Sequence, residues 1–241
     1  MIELYEGGSS KTADVTFSVG NKTYQAHKSV LYLRCKKLYE IAEDSGDDLT
    51  PIPILSTREA IFRKLLEFIY MVRTPIIRSS EIAVELLVAA DLYECVPLKL
   101  YAESFLVDKC LTTETAASFL VLADSRSCPL LKEAAINLFL DKTEAVQKSK
   151  DWHQIEESER LSKELLAVPM SVTKSCVVDK NDGSPPIDQA AEQLDFAEQL
   201  DVTSLREELE EFGYPLDGTR ELLVERYKQN IRSYWGIMDF E

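Results

Sequence analysis

Two histidines, His27 and His153, are the only imidazoles among the 241 residues. Any Ser/His/Asp or Cys/His nucleophile must therefore use one of them. His27 sits where a strand gives way to a helix, a place for a buried imidazole bonded to backbone. His153 lies three residues before Glu156, which puts both on one helical face. A metal needs further ligands there, and the neighbouring sequence offers none, so the pair reads as solvated. Five cysteines at 35, 95, 110, 128 and 176 include no CxxC spacing and lie in or near apolar stretches. They read as reduced thiols used as small hydrophobes. The eight glycines form neither GxGxxG nor GxxxxGK. The residue types thus point away from an enzyme, and from a cofactor or metal.

Charge narrows the partners. The chain carries a net charge of -15 and a pI near 4.7, which disfavours a phosphate-binding surface across the whole protein. Residues 1–150 hold 21 acidic and 18 basic side chains, and residues 151–241 hold 21 and 9. The acidity belongs to the last third, so separate modules are expected. No apolar run approaches the roughly 20 residues that span a bilayer. The opening Met1-Ile-Glu-Leu-Tyr-Glu6 lacks the basic and apolar regions of a signal peptide. The expectation is an intracellular protein with no membrane partner, in nucleus or cytoplasm.

The elements that must position any site come early as strands and later as helices. Asp14–Val19 alternates with period two, Gly20-Asn21 suits a tight hairpin turn, and Lys22–Ala26 returns as a second strand. Leu31, Cys35, Leu38 and Ala42 predict one helix over 28–43. Asp44–Asp48 reads as a loop, and Pro51–Leu55 as an edge strand because of its two prolines. Two apolar stripes, Ile61/Leu65/Phe68 and Phe62/Leu66/Ile69, predict a well-buried helix. Ile82/Leu86/Ala89 and Leu98/Tyr101/Phe105 mark two more. Thr112–Ala123 and Cys128–Leu140 form another pair, split by 124–127. Strands followed by helices give an α+β class.

These residues resemble a known family. Asp14–Val19, Tyr24-Gln-Ala-His27-Lys28-Ser-Val-Leu31, Ala60–Tyr70 and Glu85–Tyr93 with Leu98-Lys-Leu100 resemble the blocks of a BTB/POZ domain over residues 12–110, after an N-terminal tail of 1–11. The resemblance implies a small three-stranded sheet covered by helices. Thr113–Ala123, Cys128–Lys132 and Val146 to Trp152 are similar to the helical hairpins of a BACK region, here shortened to 111–170. Asp14 and Lys28 resemble the charged pair of the family's dimer groove, which implies a homodimer. Ile41-Ala42-Glu43 is similar to a hydrophobic-x-Glu triplet of BTB adaptors, which implies cullin binding through Ile41 and Glu43.

Residues 171–193 read as a linker, polar and rich in Gly, Ser and Pro at 182–186. Leu194, Ala197 and Leu200 resume helical spacing. Asp201 or Thr203 can cap a helix carrying Leu205 and Leu209, and Gly213 can end it. Asp217 can cap a second helix carrying Leu223 and Tyr227. This helix–extended loop–helix over 194–231 resembles a SAP motif, followed by a tail of 232–241. The resemblance implies a nucleic-acid contact at Gly218, Thr219, Arg220 and Arg226. Residues 195–231 carry ten acids against four bases, which opposes it.

Two functions follow from the resemblance. The first is a dimerising protein-interaction scaffold, serving as a substrate-recruiting adaptor of a cullin-RING ubiquitin ligase. The second is a nuclear, chromatin-associated protein that touches DNA through the SAP-like helices.

Overall fold

The structure is a computed structural model that describes residues 12–45, 50–71, 74–167 and 194–235. The tails, the linker, most of the acidic loop after residue 45, and Cys176 lie outside the described residues. The chain divides into two compact units, Met1–Cys110 and Leu111–Glu241.

The first unit opens on a hairpin. β1 (Val15–Val19) pairs antiparallel with β2 (Lys22–Ala26), and Val19 faces Lys22 across the turn. Gly20 takes φ +59°, a left-handed value that costs a glycine little. Val15, Phe17 and Val19 turn into the core, as period two requires. β3 (Ile52–Pro53) joins β1 in parallel at the sheet edge, where a proline can be tolerated. Sheet order is β2-β1-β3.

The helices of this unit cover the sheet. The expected single helix over 28–43 is two: α1 (Lys28–Arg34) and α2 (Lys36–Asp44). Cys35 leaves the helical conformation, and its thiol donates to the Tyr93 carbonyl at 3.3 Å. Leu31, Cys35, Leu38 and Ala42 all remain buried on both sides of the break. α3 (Glu59–Met71) buries both of its apolar stripes, and Phe62 meets Phe17, Tyr24 and Tyr93 edge-on. α4 (Ser80–Leu92) is capped by Ser79, and α5 (Val96–Lys109) packs against it.

The second unit is helical. Thr112 and Thr115 bond each other in a turn, so α6 (Ala116–Arg126) starts later than expected. It also runs through 124–126, the segment expected to separate two helices, and ends at Ser127 with φ +50°. α7 (Pro129–Asp141), α8 (Thr143–Gln147), α9 (His153–Glu157) and α10 (Glu159–Ala167) follow. Leu120, Ala135, Ile155 and Leu161 share one core with the stacked Phe139 and Trp152 rings. After a helical turn at 194–196, α11 (Val202–Glu211) and α12 (Arg220–Trp235) enclose a core of Val202, Leu205, Leu209 and Leu223. Asp201 caps α11 by accepting from the Ser204 amide at 2.7 Å. Gly213 ends it at φ +73°. The second helix is headed by Thr219, not Asp217: the Thr219 hydroxyl accepts from the Leu222 amide at 3.4 Å.

Candidate protein-binding surface

The α1 helix has seven residues and buries only Leu31. Successive residues on a helix turn by about 100°, so three apolar neighbours cannot all face one core. Tyr32 and Leu33 accordingly face outward, 60% and 77% exposed. The Tyr32 ring is braced edge-on by Tyr39 of α2 at 5.2 Å. Exposed aromatic and aliphatic side chains on a rigid element are suited to anchor a protein partner.

The start of α1 is fixed from three sides. The Asp14 carboxylate accepts the Lys28 amide at 2.7 Å, supplying an acceptor for a helix N-terminal N–H. The Tyr70 hydroxyl accepts the His27 amide at 2.7 Å and lies 3.0 Å from the His27 ring Nδ1. The other ring nitrogen lies 3.0 Å from the Thr12 hydroxyl. The His27 ring is half-buried and bonded to hydroxyls, where the sequence predicts a buried ring bonded to backbone. The Lys28 ammonium pairs with Glu43 at 3.1 Å, joining α1 to α2.

The sequence-derived residues of the first unit therefore gather at one place. Asp14 meets Lys28 through the main chain, and Lys28 meets Glu43 through its side chain. Ile41, two residues before Glu43, is half-buried while Glu43 is exposed. A further clamp holds β2 to α3. The fully buried Tyr24 donates its hydroxyl to Glu59, and Lys22 reaches the same carboxylate at 3.2 Å. The Tyr24 hydrogen bond, helped by Lys22, holds the Glu59 carboxyl below the usual carboxylate range.

The residues singled out in the second unit do different work. Arg220 donates to the carbonyls of Glu198 and Leu200 at 2.7 and 2.8 Å. Arg226 donates to the carbonyls of Pro215, at 3.0 Å, and Asp217. Gly218 has φ +108°, and a Cβ there would lie 3.2 Å from Leu222. Arg220 thus ties the start of α12 to the segment before α11, and Arg226 holds the loop between α11 and α12. His153 and Glu156 do not pair with each other: His153 Nδ1 lies 3.0 Å from the Lys150 carbonyl, and Glu156 accepts from the Trp152 indole at 2.9 Å. Among the described residues no cluster of His, Cys, Asp and Glu could hold a metal ion, and no helix is long and apolar enough to cross a membrane.

Residues 3–110 match the family model of the BTB/POZ domain. This part of the chain is a BTB/POZ domain. The match begins nine residues ahead of the expected start at 12 and ends at the division between the two units. The chain is similar to TD and POZ domain-containing protein 1 of Mus musculus, 30% identical over 158 residues, covering 65% of this chain and 42% of that protein. It is also similar to TD and POZ domain-containing protein 3 of the same organism, 31% identical over 117 residues, covering 48% and 31%. BTB/POZ and MATH domain-containing protein 3 of Arabidopsis thaliana is 30% identical over 108 residues, covering 40% and 26%. The chain spans less than half the length of these curated relatives. A similarity of 158 residues is longer than the BTB/POZ domain, so the likeness to the mouse protein reaches into the helices beyond Cys110. A BTB/POZ domain is a protein-interaction domain, generally without enzymatic activity, and protein–protein scaffolding is the function it implies here.

Sequence reasoning missed Tyr32 and Leu33 as surface residues. The signal was available in Leu31-Tyr32-Leu33, three apolar residues in a row on a helix. It also missed that Arg220 and Arg226 find carbonyl partners inside their own module, for which no local pattern exists.

Proposed function

We propose that this protein is a non-enzymatic scaffold that pairs with a second copy through its BTB/POZ domain and recruits protein partners. The exposed Tyr32–Leu33 edge of α1 carries this reading. It offers two apolar anchors on a helix whose base is fixed by Asp14, His27 and Tyr70, beside the Lys28–Glu43 ion pair. Apolar anchors within a polar surround are the usual anatomy of a protein interface.

The scaffold reading extends to a substrate-recruiting adaptor of a cullin-RING ubiquitin ligase. Ile41 and Glu43 would contact the cullin, and the helices at 111–145 would add surface. The adaptor supplies no chemistry; it raises the local concentration of a substrate near the ligase. The exposure of Glu43 supports the reading, since its carboxylate is reachable from solvent while its partner Lys28 holds it in place. A pull-down of the purified chain against a cullin N-terminal domain tests it. Binding that is lost in an Ile41→Asp, Glu43→Lys double variant supports the adaptor. Absence of binding in a chain that is dimeric and folded overturns the adaptor and leaves the scaffold.

The alternative, DNA contact by a nuclear protein, draws less support from the geometry. Arg220 and Arg226 already serve four backbone carbonyls, and Asp217 and Glu221 lie beside Gly218, Thr219 and Arg220.

A further inference from the structure

Glu133 is half-buried on α7, and its carboxylate accepts the Val202 amide at 2.9 Å from 69 residues away in sequence. Val202 is the first residue of α11, where helix N–H groups lack intrahelical acceptors. The Val202 side chain is fully buried in the core of the α11–α12 module, and Leu130, one turn before Glu133 on α7, packs against that same core. A polar and an apolar contact from one face of α7 thus meet the N-terminal end of the module. Asp201, next to Val202, uses its own carboxylate for the Ser204 amide, so the Val202 and Ser204 amides of this helix end have separate acid partners.

We infer that α7 carries a docking face, Leu130 and Glu133, whose occupant is the chain's own segment 194–235, and that the charge on Glu133 sets how firmly this segment is latched.

The charged surroundings of Glu133 set the direction of the effect. Burial disfavours its ionised form, and the neighbouring Asp201 adds repulsion. The Val202 amide and Arg220 oppose these, but Arg220 directs a nitrogen to the Glu198 and Leu200 carbonyls. Lys132, beside it on α7, turns to Asp124 and Glu164 at 3.0 and 2.8 Å. The balance pushes the Glu133 carboxyl above the ordinary glutamate range. A carboxyl raised in the docked state binds its proton more tightly there than when undocked. Docking therefore strengthens as pH falls through that raised value and is weakest where Glu133 is fully ionised. A protonated Glu133 still offers its carbonyl oxygen to Val202.

Hydrogen–deuterium exchange of the full chain tests this, followed in peptides covering 200–209 and, as reference, 116–126. Glu133→Ala removes the acceptor and is expected to lower protection of 200–209 on the order of tenfold at pH 7, as loss of a hydrogen bond to a charged group does. Glu133→Gln keeps a carbonyl acceptor without the charge. It is expected to raise protection of 200–209 above wild type at pH 7, and to remove the gain that wild type shows as pH is lowered from neutral to the ordinary glutamate value, after correction for intrinsic exchange. Protection in 116–126 stays at the wild-type level if the hairpin is intact. Should Glu133→Ala unfold the hairpin as well, the Gln variant alone decides. Protection in the Gln variant at or below wild type, or protection of wild type that does not rise on acidification, overturns the latch.

Discussion

The Lys28 ammonium lies 3.1 Å from the Glu43 carboxylate, while the Lys28 main-chain amide donates to Asp14 at 2.7 Å. One residue therefore ties α1 to α2 by its side chain and to the segment before β1 by its backbone. The two contacts differ in kind. The first is an ion pair with half-exposed Glu43, screened by solvent. The second satisfies a helix N-terminal donor, whatever side chain stands at 28.

Removing these partners should separate the two contacts. Asp14→Ala is expected to cost about 1 kcal/mol, the usual loss for a helix N-terminal acceptor. Glu43→Ala should cost less than about 1 kcal/mol, as exposed ion pairs do. Urea unfolding of each variant measures both. A larger loss for Glu43→Ala than for Asp14→Ala contradicts the assignment.

Acid stability should report on Glu59. Its carboxyl is held low in the fold by the Tyr24 hydroxyl first and Lys22 second. A carboxyl lowered on folding stabilises the native state above its unfolded pKa, and that contribution is lost as pH falls through the lower folded value. Tyr24→Phe removes the leading partner, so the folded pKa moves back toward the ordinary value. The variant's stability should then depend less on pH below about 4.5, the ordinary glutamate value. Chemical unfolding as a function of pH checks this, and an unchanged acid limb in Tyr24→Phe assigns the shift elsewhere.

Thiol labelling should discriminate the cysteines. Burial pushes Cys35 up to about 12 and Cys95 up to about 11, so both remain protonated thiols at pH 8. Cys110 is half-exposed. Iodoacetamide at pH 8 on the native chain should modify Cys110 well before Cys35 or Cys95, read by peptide mass spectrometry. Early labelling of Cys35 would mean that the α1–α2 junction opens readily.

Arg220 should prove structural. Arg220→Ala leaves the Glu198 and Leu200 carbonyls without their guanidinium donor. It should destabilise the α11–α12 module by about 1.5–3 kcal/mol, the range for charge-assisted hydrogen bonds. Thermal unfolding followed by near-ultraviolet circular dichroism measures it. A variant as stable as the parent would return Arg220 to the surface as a residue free to meet an external partner.

Much of the fold was legible because periodicity reports which side faces the core. Phe17 and Val19 on β1, and both stripes of α3, are buried as their spacing requires. The same signal cannot see a break that preserves facing. Leu31, Cys35, Leu38 and Ala42 keep a 4-3-4 spacing across two helices, so the non-helical Cys35 is invisible in it. At the break the Cys35 thiol meets the Tyr93 carbonyl, 58 residues away, a contact no local pattern announces. Helix ends followed a similar rule. Asp201 and Gly213 act locally and were readable, whereas Thr219 heads α12 in place of Asp217, whose carbonyl accepts from the Arg226 guanidinium. The candidate site divides likewise. The family-like blocks singled out Asp14, Lys28 and Glu43. The joining of Lys28 to Glu43 was not, because it needs α2 folded back on α1.

Pairing of two copies of this chain through the α1 edge of the BTB/POZ domain is open to a direct test. Sedimentation velocity of the full chain at tens of micromolar, alongside a Tyr32→Glu, Leu33→Glu double variant, tests it most directly. The parent should sediment as a dimer and the variant as a folded monomer, with unchanged far-ultraviolet circular dichroism. A parent that sediments as a monomer at that concentration, or a variant that remains a dimer, would contradict it.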